Sequence, residues 1–269
     1  MKIHFYANTG KARAADIAQE LAVRAAALSF EVVKDGSAAD LIVALGGDGT
    51  ILRAVHEFHP RPVLGFNLGG LGYLSSVEEK DFAAALEMLA KGKYKVAART
   101  MLAVKKRGAS VPVGLAVNDV VIMREMTGHA AVLDLAVGGT HAARYMADGL
   151  VIATPTGSTA YSLAAGGPVL MPDSGSFVVT PMNPHALGIR PMVVRDDASF
   201  VVTSRARQNG HAEKLGVYAD GESVFMLEAD EAAEISRAGV TAALVELDGY
   251  EPYEVMARKL GWRGSSAAE

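Results

Sequence analysis

The fold of this chain is decided by the stretch Leu41-Ile42-Val43-Ala44-Leu45-Gly46-Gly47-Asp48-Gly49-Thr50. Five consecutive apolar residues that end in glycines predict a buried β-strand with an abrupt stop. Thr50 can cap a helix, and the good helix formers that follow it predict a helix start. The stretch therefore predicts the strand, glycine-rich turn and helix of an α/β fold.

This glycine-rich turn is suited to binding an anion. Glycines let a phosphate approach the backbone, and the free N–H groups of a helix start point towards it. The turn carries Asp48 and no lysine, so it is not a Walker A loop. Its carboxylate either accepts the proton of a hydroxyl that attacks phosphorus or caps the helix, and the stretch alone favours both equally.

The composition predicts a soluble globular protein with a substantial core. Of the 269 residues, 50% are hydrophobic and 21% charged, and a net charge of −4 argues against binding nucleic acid or a membrane surface. The absence of cysteine excludes disulfides, zinc thiolate sites and thiol catalysis. No signal-peptide pattern and no apolar run near ~20 residues occur, so the cytoplasm is the expected location.

The first third of the chain alternates between strand and helix patterns. A capping box formed by Ser76 and Glu79 predicts where the last of these helices begins. This alternation predicts a parallel sheet with helices on both faces. The predicted strands are 2–7, 30–33, 41–45 and 61–66, and the predicted helices are 11–28, one that begins at Thr50, and 77–91.

The pattern changes near residue 94 to short β-rich runs separated by turns. Gly138-Gly139 and Asp220-Gly221-Glu222 are typical of hairpin turns, and 159–165 is a short helical pattern. We therefore predict an α/β domain at residues 1–93, an antiparallel all-β domain at 94–249, and a tail at 250–269 that packs back onto the first domain. The β runs are 102–106, 111–117, 120–123, 131–137, 141–146, 150–153, 177–179, 200–203, 215–219 and 224–227.

A second glycine-rich turn, Asn67-Leu68-Gly69-Gly70-Leu71-Gly72, follows a predicted strand just as the Asp48 turn does. The carboxyl ends of parallel strands lie at one edge of a sheet, where ligands bind. We therefore expect the glycines of both turns to line one crevice.

Two polar segments in the β-rich region are further candidates. Asn118-Asp119 interrupts an apolar run, which favours a bend but also offers a donor, an acceptor and a charge to ribose hydroxyls. Further on, Ser158 or Thr159 can cap a short helix and present hydroxyl and N–H groups to a nucleotide. Tyr161 can lie against a planar base or in the core.

Taken together, these segments resemble the NAD kinase family, and the resemblance covers most of the chain. The long run from Asp148 to Gly167 is the most particular, because Gly-Gly-Asp-Gly also occurs in diacylglycerol kinases and phosphofructokinases. The segments that match are Gly46-Gly47-Asp48-Gly49-Thr50, Asn67 to Leu74, Asn118-Asp119, Asp148 to Gly167, Pro181-Met182-Asn183-Pro184-His185, Arg190-Pro191 and Asp220-Gly221.

The resemblance implies a phosphofructokinase-like α/β domain followed by an all-β domain. It implies transfer of the terminal phosphoryl group of ATP, or of polyphosphate, to the adenosine 2′-hydroxyl of NAD, giving NADP. Magnesium accompanies the donor, the protein supplies no metal site of its own, and Asp48 is the proton acceptor. Family members form dimers or tetramers, with NAD close to a subunit interface.

The resemblance also assigns binding residues. Arg53 is a phosphate contact, and further candidates are Gly72, Tyr73 and Asn183. The residues expected to hold NAD are Asp48, Gly49, Asn118, Asp119, Asp148, Ser158, Thr159, Ala160, Tyr161, Ser162, Leu163 and Ala164.

The chain departs from the family pattern at two positions. Met146 stands where many members have an arginine, two residues before Asp148, and Arg144 is the candidate to replace it. Glu222 stands where many have glutamine or asparagine. Both changes remove favourable contacts to an anionic ligand, and they bear on binding more than on the reaction.

Two rival functions share these features. A lipid or sugar kinase with the same glycine-rich loop would phosphorylate diacylglycerol and not NAD. A non-catalytic dinucleotide sensor would bind NAD without turnover, and the presence of Asp48 argues against it.

Overall fold

A computed structural model describes residues 1–7, 12–69, 72–74, 77–125, 128–207, 210 and 213–262. The helices are α1 Ala12–Ala27, α2 Asp48–Phe58, α3 Phe82–Ala90, α4 Tyr161–Ala164 and α5 Pro252–Lys259. The strands are β1 Lys2–Ala7, β2 Glu31–Val32, β3 Leu41–Leu45, β4 Val63–Asn67, β5 Val77–Glu78, β6 Tyr94–Lys106, β7 Gly114–Ala116, β8 Asp119–Arg124, β9 Ala131–Val137, β10 Thr140–Ala147, β11 Gly149–Ala153, β12 Ser176–Met182, β13 Met192–Arg195, β14 Phe200–Arg205, β15 Leu215–Ala219, β16 Glu222–Leu227 and β17 Ala232–Leu247.

The chain forms two compact units, one of residues 1–99 with 242–269 and one of residues 100–241. The sequence placed the boundaries at 93 and 249, where the β-rich pattern starts and stops. In the structure both boundaries fall inside long strands, because β6 and β17 each continue from one unit into the other. Helix α5, in the predicted tail, belongs to the first unit.

The first unit is built on parallel strands in the order β4, β3, β1, β2. All five residues of β3 are buried, as the apolar run predicts. Leu41, Val43 and Leu45 pack in one core with residues of α1 and α3. Phe58 of α2 instead contacts the rings of His4 and Tyr6, which face away from Ile3 along β1. Helices therefore cover both faces, and the predicted α/β class is confirmed.

The second unit is antiparallel throughout. One sheet has the order β13, β12, β11, β8, β15, β16, and the other places β10, β9, β14 and β17 side by side. Phe177 of the first sheet and Phe200 of the second lie 6.2 Å apart between ring centroids, within one shared core. The predicted antiparallel β-domain is confirmed, and Gly138 and Gly139 form the expected hairpin turn with positive φ.

Several local predictions of where helices and strands begin were wrong. Helix α2 begins at Asp48 with Gly47 as its N-cap, so Thr50 lies within the first turn. Helix α3 begins at Phe82, after a short strand and a 3₁₀ turn, rather than at residue 77; Ser76 lies outside the described residues. The sequence missed β17, in which five alanines, a glycine and three charged residues of weak strand propensity interrupt the β-branched and leucine positions.

Candidate active site

The first candidate region, the Asp48 loop, lies where β3 ends and α2 begins. Gly47 makes no side-chain capping bond, and Asp48 is the first residue of the helix. Its carboxylate accepts hydrogen bonds from the two amides that directly follow the second glycine-rich turn, from Tyr73 N to Oδ2 at 2.8 Å and from Leu74 N to Oδ1 at 3.1 Å. Asp48 therefore joins the two turns instead of capping its own helix, so the capping interpretation was wrong.

The two turns meet because β3 and β4 are parallel neighbours that end at the same edge, with Leu45 opposite Phe66. Gly69 donates its N–H to the side chain of Asn67 at 2.9 Å, which closes the start of the second turn. Gly70 and Leu71 lie outside the described residues. Gly72 is buried, and Asp48 accepts the N–H of the residue that follows it, Tyr73.

The environment of Tyr73 is partly apolar and partly charged. Burial, and then the negative charge of Asp48, raise the pKa of the Tyr73 phenol. The ammonium group of Lys259 on α5 lies 4.8 Å from the centre of its ring. Arg258, the preceding residue, donates to Glu78 at 3.0 Å. The end of α5 therefore contacts both Tyr73 and Glu78, which follow the second turn.

Gly49 and Arg53, the other candidates on α2, are both exposed. Gly49 lies in the first turn, and no heavy atom lies within 4 Å of the place where a Cβ would stand. Arg53 follows Asp48 by five residues, which on an α-helix turns its side chain about 140° away and moves it about 7.5 Å along the axis. The helix does not direct Arg53 and Asp48 to the same point.

The second candidate region, the Asn118 turn, comprises Val117, Asn118 and Asp119 in the second unit. The carboxylate of Asp220 accepts three backbone N–H groups, from Val117 at 2.7 Å, from Asn118 at 2.7 Å and from Asp119 at 3.2 Å. In return Asp220 donates its own N–H to the carbonyl of Asp119 at 3.0 Å. Asn118-Asp119 is therefore the bend that the sequence favoured, and a residue about a hundred positions away fixes it.

The carbonyl groups of this turn are held from the other side by Thr154. Its hydroxyl donates to the Val117 carbonyl at 2.6 Å, and its N–H donates to the Asn118 carbonyl at 2.9 Å. Gly157 packs so closely that a Cβ there would overlap the backbone of Asn118. The run that starts at Asp148 is thus in direct contact with the Asn118 turn.

Asp119 is a buried carboxyl beside a second one. Burial, and then the nearby charge of Asp220, raise the pKa of Asp119 to about 7, although the backbone N–H of Tyr161 opposes the shift. At neutral pH a substantial fraction of this side chain is protonated, so it can donate a hydrogen bond as well as accept one. Such a group suits a ribose hydroxyl.

The hydroxyl groups of the helical run serve the fold, and the prediction that Ser158 or Thr159 caps the helix was wrong. Ser158 donates to the Pro155 carbonyl at 2.7 Å and accepts from Leu170 N at 2.9 Å. Thr159 bonds to the Thr156 carbonyl at 3.1 Å, and buried Ser162 bonds to Thr180 at 2.8 Å. The N-cap of α4 is Ala160, which makes no side-chain bond.

The remaining members of this run are more accessible. Tyr161 is 41% exposed, so its ring does not belong to the core. Ala164 is exposed, and Ala160 and Leu163 are half-buried. Tyr161 is therefore the side chain of the run that is best placed for contact with a planar base.

Asp148 lies in a different electrostatic environment from Asp119. Arg124 forms an ion pair with it at 2.7 Å, and the side-chain amide of Asn183 donates to its other oxygen at 2.9 Å. The bond from Asn183, and then those from Arg124, hold the pKa of Asp148 below its usual value. Two candidates, Asp148 and Asn183, are thus brought together, whereas the contribution of Arg124 was not predicted.

The positions that depart from the family pattern lie on strands. Arg144 forms two bonds to the nearly buried carboxylate of Asp134, at 2.6 and 2.8 Å, so its guanidinium group is engaged there. Arg205 binds the same carboxylate. Met146 is 45% exposed on β10, and Glu222 is exposed as the first residue of β16, directly after the hairpin turn.

The described part of the chain contains no group of three His, Cys, Asp or Glu side chains arranged to hold a metal ion. None of its helices is long and apolar enough to cross a membrane.

Sequence reasoning missed the roles of Asp220 and Thr154. Asp220-Gly221 was recognised as a hairpin turn and as a matching segment, but not as the partner of Asn118-Asp119. The available signal was an aspartate at a predicted Asp-Gly hairpin turn, since aspartate tolerates the left-handed region that the structure shows for Asp220 and its carboxylate accepts backbone N–H groups.

Comparisons with known proteins agree with these motifs. Residues 32–94 match the model of the ATP-NAD kinase N-terminal domain, and residues 117–247 match that of the ATP-NAD kinase C-terminal domain. The NAD kinase of Symbiobacterium thermophilum is 41% identical over 225 residues, which is 82% of this chain and 78% of that protein. The NAD kinase of Protochlamydia amoebophila is 40% identical over 225 residues, with the same two shares of 82% and 78%.

Two solved structures have a similar fold. An NAD kinase from Archaeoglobus fulgidus in complex with ATP gives a TM-score of 0.78 at 25% identity, covering 98% of this chain and all of that one. Yeast NADH kinase complexed with NADH gives a TM-score of 0.83 at 24% identity, covering all of this chain and 90% of that one. The likeness extends over both compact units.

Proposed function

The chain belongs to the NAD kinase family, and we propose that it transfers the terminal phosphoryl group of ATP to the adenosine 2′-hydroxyl of NAD, giving NADP. The observation that carries the proposal is the position of Asp48, whose carboxylate bonds to Tyr73 N and Leu74 N between two glycine-rich turns. These turns end adjacent parallel strands, the usual place for a nucleotide phosphate in such sheets.

Asp48 is the proposed acceptor of the ribose proton. A carboxylate has about four lone-pair sites, and the two amide bonds occupy one on each oxygen. The remaining sites can accept the 2′-hydroxyl at the distance of about 3 Å that general-base catalysis needs. Because both amides belong to another turn, the carboxylate is oriented before substrate arrives, which reduces the entropic part of the barrier.

The Asn118 turn is the proposed binding element for NAD. Its backbone is fixed by Asp220 and Thr154, so the side chains of Asn118 and Asp119 meet the ligand from a rigid support. The partly protonated Asp119 can exchange hydrogen bonds with ribose hydroxyls in both directions. Tyr161, in bonding contact with Asp119 through its N–H, is the proposed surface for a planar base.

Magnesium is the proposed companion of the phosphate donor. Mg²⁺ commonly keeps several waters and is bound through one or two carboxylates together with substrate phosphates. Because the remaining lone pairs of Asp48 are assigned to the ribose hydroxyl, the donor's phosphate oxygens and water would hold the ion. When bound, the ion offsets charge on the phosphates.

The donor, the assembly and the location are parts of the same proposal. We take ATP as the donor. Polyphosphate is the alternative, because glycine-turn amides recognise phosphate groups and not the base. We further propose a cytoplasmic homodimer or homotetramer, following the family resemblance. Light scattering on the purified protein measures its assembly.

The test is NADP formation by the purified protein with NAD, magnesium and either ATP or polyphosphate, with Asp48→Asn in parallel. We expect NADP from the wild type and a loss of turnover of about 10²–10⁴-fold in the variant, with NAD binding retained. NAD binding without NADP from either donor would support a dinucleotide sensor. Phosphorylation of diacylglycerol with no activity on NAD would support a lipid kinase.

A further inference from the structure

Asp220 stands in a conformation that few side chains other than glycine adopt. Together with Gly221 it forms the two-residue turn between β15 and β16, with φ values of +49° and +85°. Aspartate tolerates this left-handed region because its short polar side chain can bond locally. Here the side chain bonds elsewhere, to residues that precede it by about a hundred positions.

Three consecutive backbone amides of the Asn118 turn converge on this one carboxylate. Consecutive N–H groups that point into one concavity form an anion-binding arrangement, and hydrogen bonds to a charged acceptor are about twice as strong as neutral ones. A neutral side chain cannot accept all three N–H groups equally well, because a side-chain amide has only one acceptor atom. A charged carboxylate therefore suits this position better than a neutral side chain does.

The other contacts of the turn do not replace Asp220. Thr154 binds the carbonyl groups of Val117 and Asn118, and Gly157 packs on the backbone of Asn118. None of these contacts involves the three N–H groups, which bond to the carboxylate of Asp220. Loss of the Asp220 carboxylate thus releases one side of the turn while the other side stays anchored.

We propose that Asp220 is a positioning residue for the dinucleotide, whose carboxylate holds the Asn118 turn in the conformation that presents Asn118 and Asp119 to NAD. The inference rests on the proposed function and adds to it the residue that prepares the binding element. Asp220 acts on the ligand through the turn and not by contact with the reacting atoms. Loss of the Asp220 carboxylate should therefore weaken NAD binding more than it lowers the rate of the chemical step or weakens ATP binding.

The test compares Asp220→Gly and Asp220→Asn with a matched control, Asp230→Gly. Glycine accepts positive φ without strain, so Asp220→Gly removes the carboxylate while the hairpin turn keeps its backbone. Asparagine also tolerates positive φ and keeps one acceptor oxygen. Asp230 is an exposed, positive-φ aspartate (φ +62°) in the same unit whose carboxylate binds Arg205, outside the proposed site.

We expect Asp220→Gly to raise the KM and the calorimetric Kd for NAD at least tenfold, while the KM for ATP stays within twofold. Asp220→Asn should give a smaller increase, and Asp230→Gly none. Hydrogen exchange at Val117, Asn118 and Asp119 should accelerate in Asp220→Gly only. Unchanged NAD binding together with a lower melting temperature would overturn the inference, because it would show a purely structural role.

The outcomes for the wild type separate this inference from the proposed function. If the wild type binds NAD and makes no NADP, the kinase proposal fails, whereas the Kd comparison still decides the role of Asp220. If the wild type makes NADP and Asp220→Gly binds NAD equally well, the kinase proposal stands and the inference fails. If the wild type does not bind NAD, both fail.

Discussion

The Asp48 loop and the Asn118 turn use the same physical device in different ways. In each, an aspartate carboxylate accepts backbone N–H groups of a turn that is distant in the sequence. Asp48 organises its neighbour and is itself the proposed reacting group. In the Asn118 turn the organising carboxylate, Asp220, is separate from Asp119, the one presented to the ligand. On the proposed function, the Asp48 loop therefore serves the chemical step and the Asn118 turn serves binding.

The two regions also differ in solvent exposure. Asp48 is half-buried, so both water and substrate can reach its remaining lone pairs. Asp119 is 5% exposed and lies beside a like charge, which is why the pKa of Asp119 is raised to about 7. A fully ionised Asp119 would repel the phosphates of a dinucleotide more strongly than a partly protonated one does.

The largest expected effect follows from removing the Asp48 carboxylate altogether. In Asp48→Ala the reaction loses its base, and Tyr73 N and Leu74 N lose their acceptor. We expect kcat for NADP formation to fall by about 10³–10⁴-fold in steady-state assays, at the upper end of general-base effects. Asp16→Ala, at an exposed position of α1, is the control and should keep wild-type kcat. A fall in kcat of less than tenfold in Asp48→Ala would contradict the assignment of the Asp48 loop to the chemical step.

The second prediction concerns the pH dependence of stability. The pKa of Asp119 is raised by folding from 3.8 to about 7, so its contribution to stability is fully present below about pH 4 and is lost as the pH rises to about 7. Asp119→Asn removes this titration. The free energy of unfolding of Asp119→Asn minus that of the wild type should therefore increase by on the order of 3 kcal/mol from pH 5 to pH 8.

Urea denaturation at both pH values measures this shift, with Asp230→Asn as an exposed aspartate control. The same difference at pH 5 and pH 8 would mean that Asp119 ionises as an ordinary aspartate. The electrostatic contrast between the two loops would then be lost.

A third prediction tests the close approach behind the Asn118 turn. Gly157→Ala forces a Cβ into the backbone of Asn118, and overpacking of this kind costs about 1–3 kcal/mol. Gly188→Ala is the control, since no heavy atom lies within 4 Å of its added Cβ. Thermal unfolding should show a lower melting temperature for Gly157→Ala only. Equal melting temperatures would indicate that the turn is not rigid.

The smallest effect is expected where α5 contacts Tyr73, whose N–H bonds to Asp48. Lys259→Gln removes the cation above the Tyr73 ring, an interaction worth about 0.5–1 kcal/mol at an exposed site. We expect a decrease in kcat of less than about fivefold and no change in the KM for NAD. Lys91→Gln, which loses only an exposed pair with Glu87, should match the wild type in both parameters. A larger effect of Lys259→Gln on NAD binding than on kcat would contradict the assignment of this loop to chemistry.

Much of the fold follows from local patterns in the sequence. Strand β3 was predicted with its observed bounds, because a run buried on both faces is apolar throughout. The hairpins at Gly138-Gly139 and Asp220-Gly221 follow from residues that adopt positive φ. Strand β17 and the start of α3 were missed, since their conformations depend on tertiary pairing more than on propensity.

The site was predictable in its parts but not in its connections. That Asp48 lies in a phosphate-type turn follows from residues 41–50, and the neighbouring turn follows from parallel topology. The bonds from Tyr73 and Leu74, and the three amides held by Asp220, join residues far apart in the sequence. No local pattern specifies such contacts, and the burial of Asp119 likewise arises only when these segments pack together.

The division of labour between the loops is tested most directly by measuring NAD affinity and turnover together in Asp48→Asn and Asp220→Gly. We expect Asp48→Asn to bind NAD within about threefold of the wild-type Kd and to lose at least about 10²-fold in kcat. We expect the converse for Asp220→Gly, with a Kd for NAD at least tenfold weaker and a kcat at saturating NAD within about threefold of the wild type. Wild-type kcat in Asp48→Asn, or loss of both parameters to the same extent in the two variants, would contradict this division of labour.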